Sequence, residues 1–219
     1  MGVLLMLMTI GGLVVAGVLF VAGIFAGKVW LRNFVCGGIV IWSIFYVVML
    51  FGFSLMSTER DLALNEPKPF CGFYLDCHMH TAVTNVRRTR TIGNKIANGE
   101  FYIVAVKVFS DAKAATLGLL TVDAHVVDAA DQKYTRDMDA ETALGPQPEF
   151  DKKISPVESF QKEIVFDLPV NVSKPRLDIR EGYGIDHAIE AVLVDDEDSI
   201  FHKRNYFVLS EQTETAGVK

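Results

Sequence analysis

The chain has 219 residues, with 21 Lys and Arg, 27 Asp and Glu, five His and three Cys. All 27 acids lie at or beyond Glu59 and only Lys28 and Arg32 are charged before it, which leaves 19 bases against those 27 acids, a net −8, on residues 59–219. That split excludes a plain cytosolic globule, a disordered chain and a disulfide-framework miniprotein, and the acidic remainder speaks against nucleic acid as a partner.

Gly2–Gly27 and Asn33–Thr58 carry no charge, and each exceeds the ~20 apolar residues that cross ~30 Å of hydrocarbon. Only Lys28-Val29-Trp30-Leu31-Arg32 separates them, so two helices here must run antiparallel. Residues 1–58 are therefore expected to form a transmembrane helical hairpin in the lipid bilayer. The two cations place its turn in the cytoplasm and both chain ends outside. A signal peptide is the competing reading of the first span, but no basic segment follows Met1 and the apolar run is too long. Gly12 and Ala16, Ala22 and Ala26, and Gly23 and Gly27 are four apart. Small pairs at that spacing let another helix approach closely. The second helix of the hairpin is the favoured occupant, a partner's helix the other. Trp42 falls well inside the second span, and Cys36 there reads as a small apolar packing residue.

After a linker at 59–69, the pattern from Phe70 onward has period two and is broken by turn residues. A first strand is expected over Phe70–Ile92, then a hairpin turn at Asn98-Gly99 leading into Phe101–Phe109. In that strand Tyr102, Val104, Val106 and Val108 share a face. Leu117–Val127 follows, then a turn at Asp131-Gln132 and a long polar connection over Asp128–Lys153. Phe160, Ile164, Phe166 and Leu168 mark a strand closed by Pro169; Leu177 with Ile179, Ile189–Val194 and Phe201–Leu209 supply three more. No stretch shows a convincing amphipathic helix. About seven short strands over 70–210, with a flexible tail at 211–219, spell an antiparallel β-sandwich.

Ile154-Ser155-Pro156-Val157-Glu158-Ser159-Phe160, running into Val165-Phe166-Asp167-Leu168-Pro169, resembles the turn-and-strand signature of a bacterial extracellular immunoglobulin-like family of unassigned function. Val157 stands where that family has Gly. Phe70–His78, and Asp196–Ser199 with His202-Lys203, are similar to segments of uncharacterised bacterial membrane-anchored proteins. The resemblance spans about Phe70–Leu209 and implies an immunoglobulin-like sandwich on a bacterial surface, and no activity.

Asp76, His78 and His80 fall on one face of an extended strand. Two His at i and i+2 beside a carboxylate begin a copper or zinc site. Asp123 and His125, which also share a face, would complete it if their strand lies adjacent. The competing reading is a solvent-facing strand with satisfied histidines, and it is the favoured one. Cys71 and Cys77 would stand ~20 Å apart on a straight strand, against the ~4.4–6.8 Å between Cα atoms that a disulfide needs. A bridge thus requires a turn within Gly72–Asp76. A disulfide is the first reading, a buried free pair the second, thiolate ligation the third. Arg87, Arg88 and Arg90 could meet lipid head groups or simply guard a strand end, the latter being favoured. The acidic runs Asp195–Asp198 and Asp137, Asp139, Glu141 lack EF-hand spacing. No nucleophile elbow or phosphate loop is present. The expectation is a non-catalytic membrane-anchored interaction module, an accessory or assembly subunit with a membrane-protein partner; the alternative is an extracytoplasmic metal-binding protein.

Overall fold

The computed structural model describes residues 2–70, 77–182 and 184–209, with Ile185 and Asp186 by backbone alone. It divides into two compact units, residues 1–59 with 184–204, and residues 60–183 with 205–219.

The first unit holds two apolar helices, α1 (Gly2–Phe25) and α2 (Val29–Met56), each long and apolar enough to cross a membrane. α1 stops because Gly27 adopts φ +64°. That conformation lets Lys28 N–H reach Gly23 C=O and Gly27 N–H reach Ile24 C=O, closing the last turn with paired bonds. The helices then run antiparallel, with Gly23 beside Leu31 and Arg32, and Trp42 beside Thr9. Trp42 Nε1–H donates to Thr9 Oγ1 (3.1 Å), which in turn donates to Leu5 C=O (2.8 Å). A tryptophan in mid-helix is tolerated because its one donor is satisfied inside the pair.

Residues 184–204 belong to this unit. They open with a short helix, α4 (Gly184–Glu190), and continue in consecutive turns. Tyr46 Oη donates to Val192 C=O (2.8 Å), Lys203 N–H donates to Ser57 Oγ (2.7 Å), and the Phe51 and Phe201 rings lie 5.9 Å apart. The strand expected over Ile189–Val194 is therefore absent. Leu193 and Val194 are buried, and a Cβ on Gly2 would come within 2.4 Å of Val194 O.

The second unit is a two-sheet β-sandwich. One sheet has the order β1 (Arg60–Leu62), β9 (Asn205–Val208), β8 (Arg176–Glu181), β5 (Val122–Val127), β6 (Lys133–Thr135). The other has the order β2 (Lys68–Phe70), β3 (Met79–Ile92), β4 (Lys95–Ser110), β7 (Ser159–Leu168). Neighbours are antiparallel except β1 and β9, which are parallel. The sandwich thus starts at Arg60, inside the segment read as linker, because β1 and β2 each pair with a strand. Tyr102, Val104, Val106 and Val108 face the core, with Phe166, Leu177, Ile179 and Phe207. Phe101, Ile103 and Val165 point the other way and are covered by Ala140 of α3 (Met138–Ala143). That helix was invisible to periodicity at six residues. It is held by an Asp137 cap on Ala140 N–H (2.9 Å) and by Arg136 gripping buried Glu141.

The β3–β4 turn is Gly93-Asn94, with Ile92 paired to Lys95 and Gly93 at φ +56°. Asn98-Gly99, expected to be that turn, lies inside β4. There both backbone N–H groups donate to the Asp167 carboxylate (2.8 and 2.9 Å). Two of the cations of β3 are engaged: Arg87 pairs with Glu163 at 2.7 Å, and Arg88 with Glu100 at 3.3 Å while lying over the Tyr102 ring. Val157 sits exposed at φ +65°, in the left-handed region that costs a β-branched residue more than 1 kcal/mol. Val157→Gly is expected to raise the stability of the sandwich by about 1 kcal/mol, less the added unfolded-state entropy of glycine. A denaturation midpoint that fell would refute this.

Candidate functional site

Three clusters of chemistry-bearing side chains occur among the described residues. The first stands where β3 begins. His78 Nδ1 lies 2.6 Å from Asp111 Oδ1, and His80 Nε2 lies 3.4 Å from Asp111 Oδ2. His80 pairs with Phe109 across the β3–β4 ladder and stacks on its ring at 5.1 Å. The hydrogen bond from His78 holds the Asp111 carboxyl below the usual carboxylate range. Asp76 and Cys71 lie outside the described residues. Cys77 is disulfide-bonded and Cys36 is free.

The second cluster lies on β5 and β8, on the face of their sheet opposite the core residues Ala124, Val126, Leu177 and Ile179. Asp123 and His125 sit on β5, in the sheet that does not contain β3. Their strand is therefore not adjacent to that of His78 and His80, so the adjacency on which the alternative metal reading depended is absent among the described residues. The sheets divide the two pairs, because β3 pairs with β2 and β4 alone. His125 turns instead to Asp178, with Nε2 3.6 Å from Oδ2, and Nδ1 lies 3.5 Å from Asp123. Burial depresses its pKa, outweighing the pull of Asp178. Asp178 also receives Arg180 Nε (3.0 Å) and faces Lys68 Nζ (3.7 Å). Lys68 reaches from β2 to donate to Ile179 C=O (3.0 Å) and Asn205 C=O (3.3 Å). This group ties one sheet to the other.

The third cluster belongs to the helical unit. α4 presents His187 and Glu190 one turn apart, and the turns after it return Asp198. His187 Nδ1 lies 3.1 Å from Glu190 Oε2 and 3.9 Å from Asp198 Oδ2. Arg204 Nη2 holds the other Asp198 oxygen at 2.8 Å. Burial raises the carboxyl pKa of both Glu190 and Asp196. Among the described residues, this is where three His or carboxylate ligand atoms converge within 4.8 Å of one another.

The small residues of α1 divide. Gly23 is packed, with a would-be Cβ 3.2 Å from Arg32 Cγ. Gly27 forms the turn, and Ala22 and Ala26 are exposed. Gly12 and Ala16, with Met8, Leu13, Gly38, Ile39 and Trp42, line a cavity of about 210 Å³ between the helices. A Cβ on Gly11, Gly12, Gly17, Gly37 or Gly38 would meet nothing within 4 Å.

No family model matches the chain. No curated protein matches it either. Solved structures with a similar chain path include the secreted protein MPT63 from Mycobacterium tuberculosis, at 13% identity and TM-score 0.41, over 59% of this chain and 92% of that one. A conserved hypothetical protein from Bacillus anthracis is similar at 15% identity and TM-score 0.40, over 54% and 92%. An uncharacterised β-sandwich protein from Clostridium difficile 630 is similar at 14% identity and TM-score 0.37, over 70% and 96%.

Asp111, Lys68 and Asp178 escaped the sequence reading, since each acts through a strand distant in sequence. His187 and Glu190 carried a local signal, the i, i+3 spacing, which tells only once the segment is known to be helical.

Proposed function

We propose that the chain is a membrane-anchored, non-catalytic interaction module of the bacterial cytoplasmic membrane, an accessory or assembly subunit of a membrane complex. In this reading α1 and α2 both span the bilayer, Lys28 and Arg32 lie on the cytoplasmic side, and the immunoglobulin-like sandwich and both termini lie outside. The 28 residues of α2 make a helix about 42 Å long, roughly two turns more than the hydrocarbon needs. Residues 184–204 pack around this end of the pair, against Phe51 and Ser54 of the excess and also against Tyr46 and Ser57.

The observation that carries the proposal is the uncovered glycine surface of the helix pair. The hairpin's own packing uses Gly23, while Gly12 and Gly38 are exposed on one open groove shared by the two helices, where a Cβ on either would meet nothing within 4 Å. Bare glycine faces in lipid favour close approach of another helix, here a transmembrane helix of the partner.

The test is to solubilise the tagged chain in mild detergent and identify stoichiometric companions by mass spectrometry. A reproducible partner is expected, and Gly12→Leu with Gly38→Leu should lower its recovery about tenfold, as ~1–2 kcal/mol of helix packing is lost. Leucine favours helix, so the pair should still form. A wild-type chain that purifies alone, or a partner indifferent to both changes, would overturn the proposal.

A further inference from the structure

We propose that His187, Glu190 and Asp198 form a binding site for a divalent cation of the zinc class, carried by the helical unit and separate from the histidines of the sandwich. The inference goes beyond the interaction reading and does not depend on it.

The argument starts from spacing. Ligand atoms about 2.0–2.2 Å from a tetrahedral ion lie about 3.3–3.6 Å from each other. His187 Nδ1 stands 3.1 Å from Glu190 Oε2 and 3.9 Å from Asp198 Oδ2, which bracket that edge, and the three atoms all fall within 4.8 Å of one another. An ion could therefore enter with side-chain adjustments on the order of 1 Å. One nitrogen and two carboxylate oxygens suit zinc, whereas calcium would want six or more oxygens.

Support around the ligands points the same way. Arg204 grips Asp198 through Oδ1, leaving Oδ2 turned to His187. A held second oxygen is how ligating carboxylates are oriented. Glu190 and Asp198 are both at least three-quarters buried, at 24% and 18% side-chain exposure. Arg204 supplies one positive charge to this group. A dication would offset the remaining repulsion and the cost of burial.

The bland alternative is a His187–Glu190 ion pair with no metal. Zinc chloride added to the full chain in detergent, after chelator treatment and desalting, separates the two. One zinc per chain is expected by elemental analysis and by titration calorimetry. His187→Ala and Glu190→Gln should each weaken binding by at least about tenfold, while His78→Ala with His80→Ala leaves it unchanged. Glu190→Gln keeps the side-chain volume, so it remains informative if His187→Ala fails to fold. No zinc retained by the wild-type chain would overturn the site. Zinc kept by the Glu190→Gln chain and lost with His78 and His80 would do so equally, by moving the ion to the sandwich.

Discussion

Lys68→Met is expected to destabilise the sandwich by about 3 kcal/mol, the low end of what breaking one partner of a buried pair costs. The Lys68 and Asp178 side chains are 4% and 1% exposed. The ammonium comes from the edge of one sheet and binds two backbone carbonyls, of Ile179 and Asn205, and a carboxylate in the other. Methionine fills much the same volume and supplies no donor. It leaves the Ile179 and Asn205 carbonyls without that bond, and Asp178 with Arg180 3.0 Å away. The retained guanidinium is why the low end applies. Urea titration of the solubilised chain measures the loss. Adding Asp178→Leu should return part of it, since buried pairs are often replaceable by apolar groups of similar volume. A Lys68→Met midpoint within 0.5 kcal/mol or so of wild type would mean that this cluster does not hold the sheets together.

Gly99→Ala should cost about as much, through sterics alone. The added Cβ would lie 2.1 Å from Leu168 O, 2.9 Å from Leu168 C and 3.0 Å from Pro169 Cα. All three are backbone atoms, so no side chain can swing aside and β4 must move away from β7. The register there runs unbroken from Glu100↔Leu168 to Phe109↔Ser159, and it is anchored beside Gly99 by Asp167 accepting two N–H bonds. Overpacking of this kind costs about 1–3 kcal/mol, and the lost Asp167 bonds add to it. Gly93→Ala is the matched comparison. It has φ +56° and open space around it, its nearest neighbour being Ala143 Cβ at 3.9 Å. It should cost about 1 kcal/mol, from backbone strain alone. Equal losses at the two positions would show that the approach of β7 is not what demands glycine at 99.

The same two glycines show what sequence could and could not reveal. Both lie in Asn/Gly dipeptides between apolar runs, and either would serve as a hairpin turn. What decides is that Leu168 at the end of β7, 69 residues on, lies against Gly99. Elements whose pattern is self-contained were legible: two long apolar helices, the alternating face of Tyr102 to Val108, and a strand stopped by Pro169. The segment 184–204 was not. An apolar run such as Ile189 to Val194 announces burial without saying against what, and here it packs with helices instead of a sheet. Asp123 and His125 do share a face, as alternation requires, yet face-sharing says nothing of which strand lies alongside. Asp111 entered no motif because its histidines reach it across a hairpin.

The parallel pairing of β1 with β9 bears on how the protein is made. β1 follows directly on α2, while its neighbour arrives some 145 positions later, Arg60 matching Asn205. During synthesis, β1 must wait unpaired until nearly the whole chain has emerged. Only then can the sheet order β1-β9-β8 close. Pairings between such distant residues form late and slowly. The unfinished edge of β8 is meanwhile open to strands of neighbouring nascent chains.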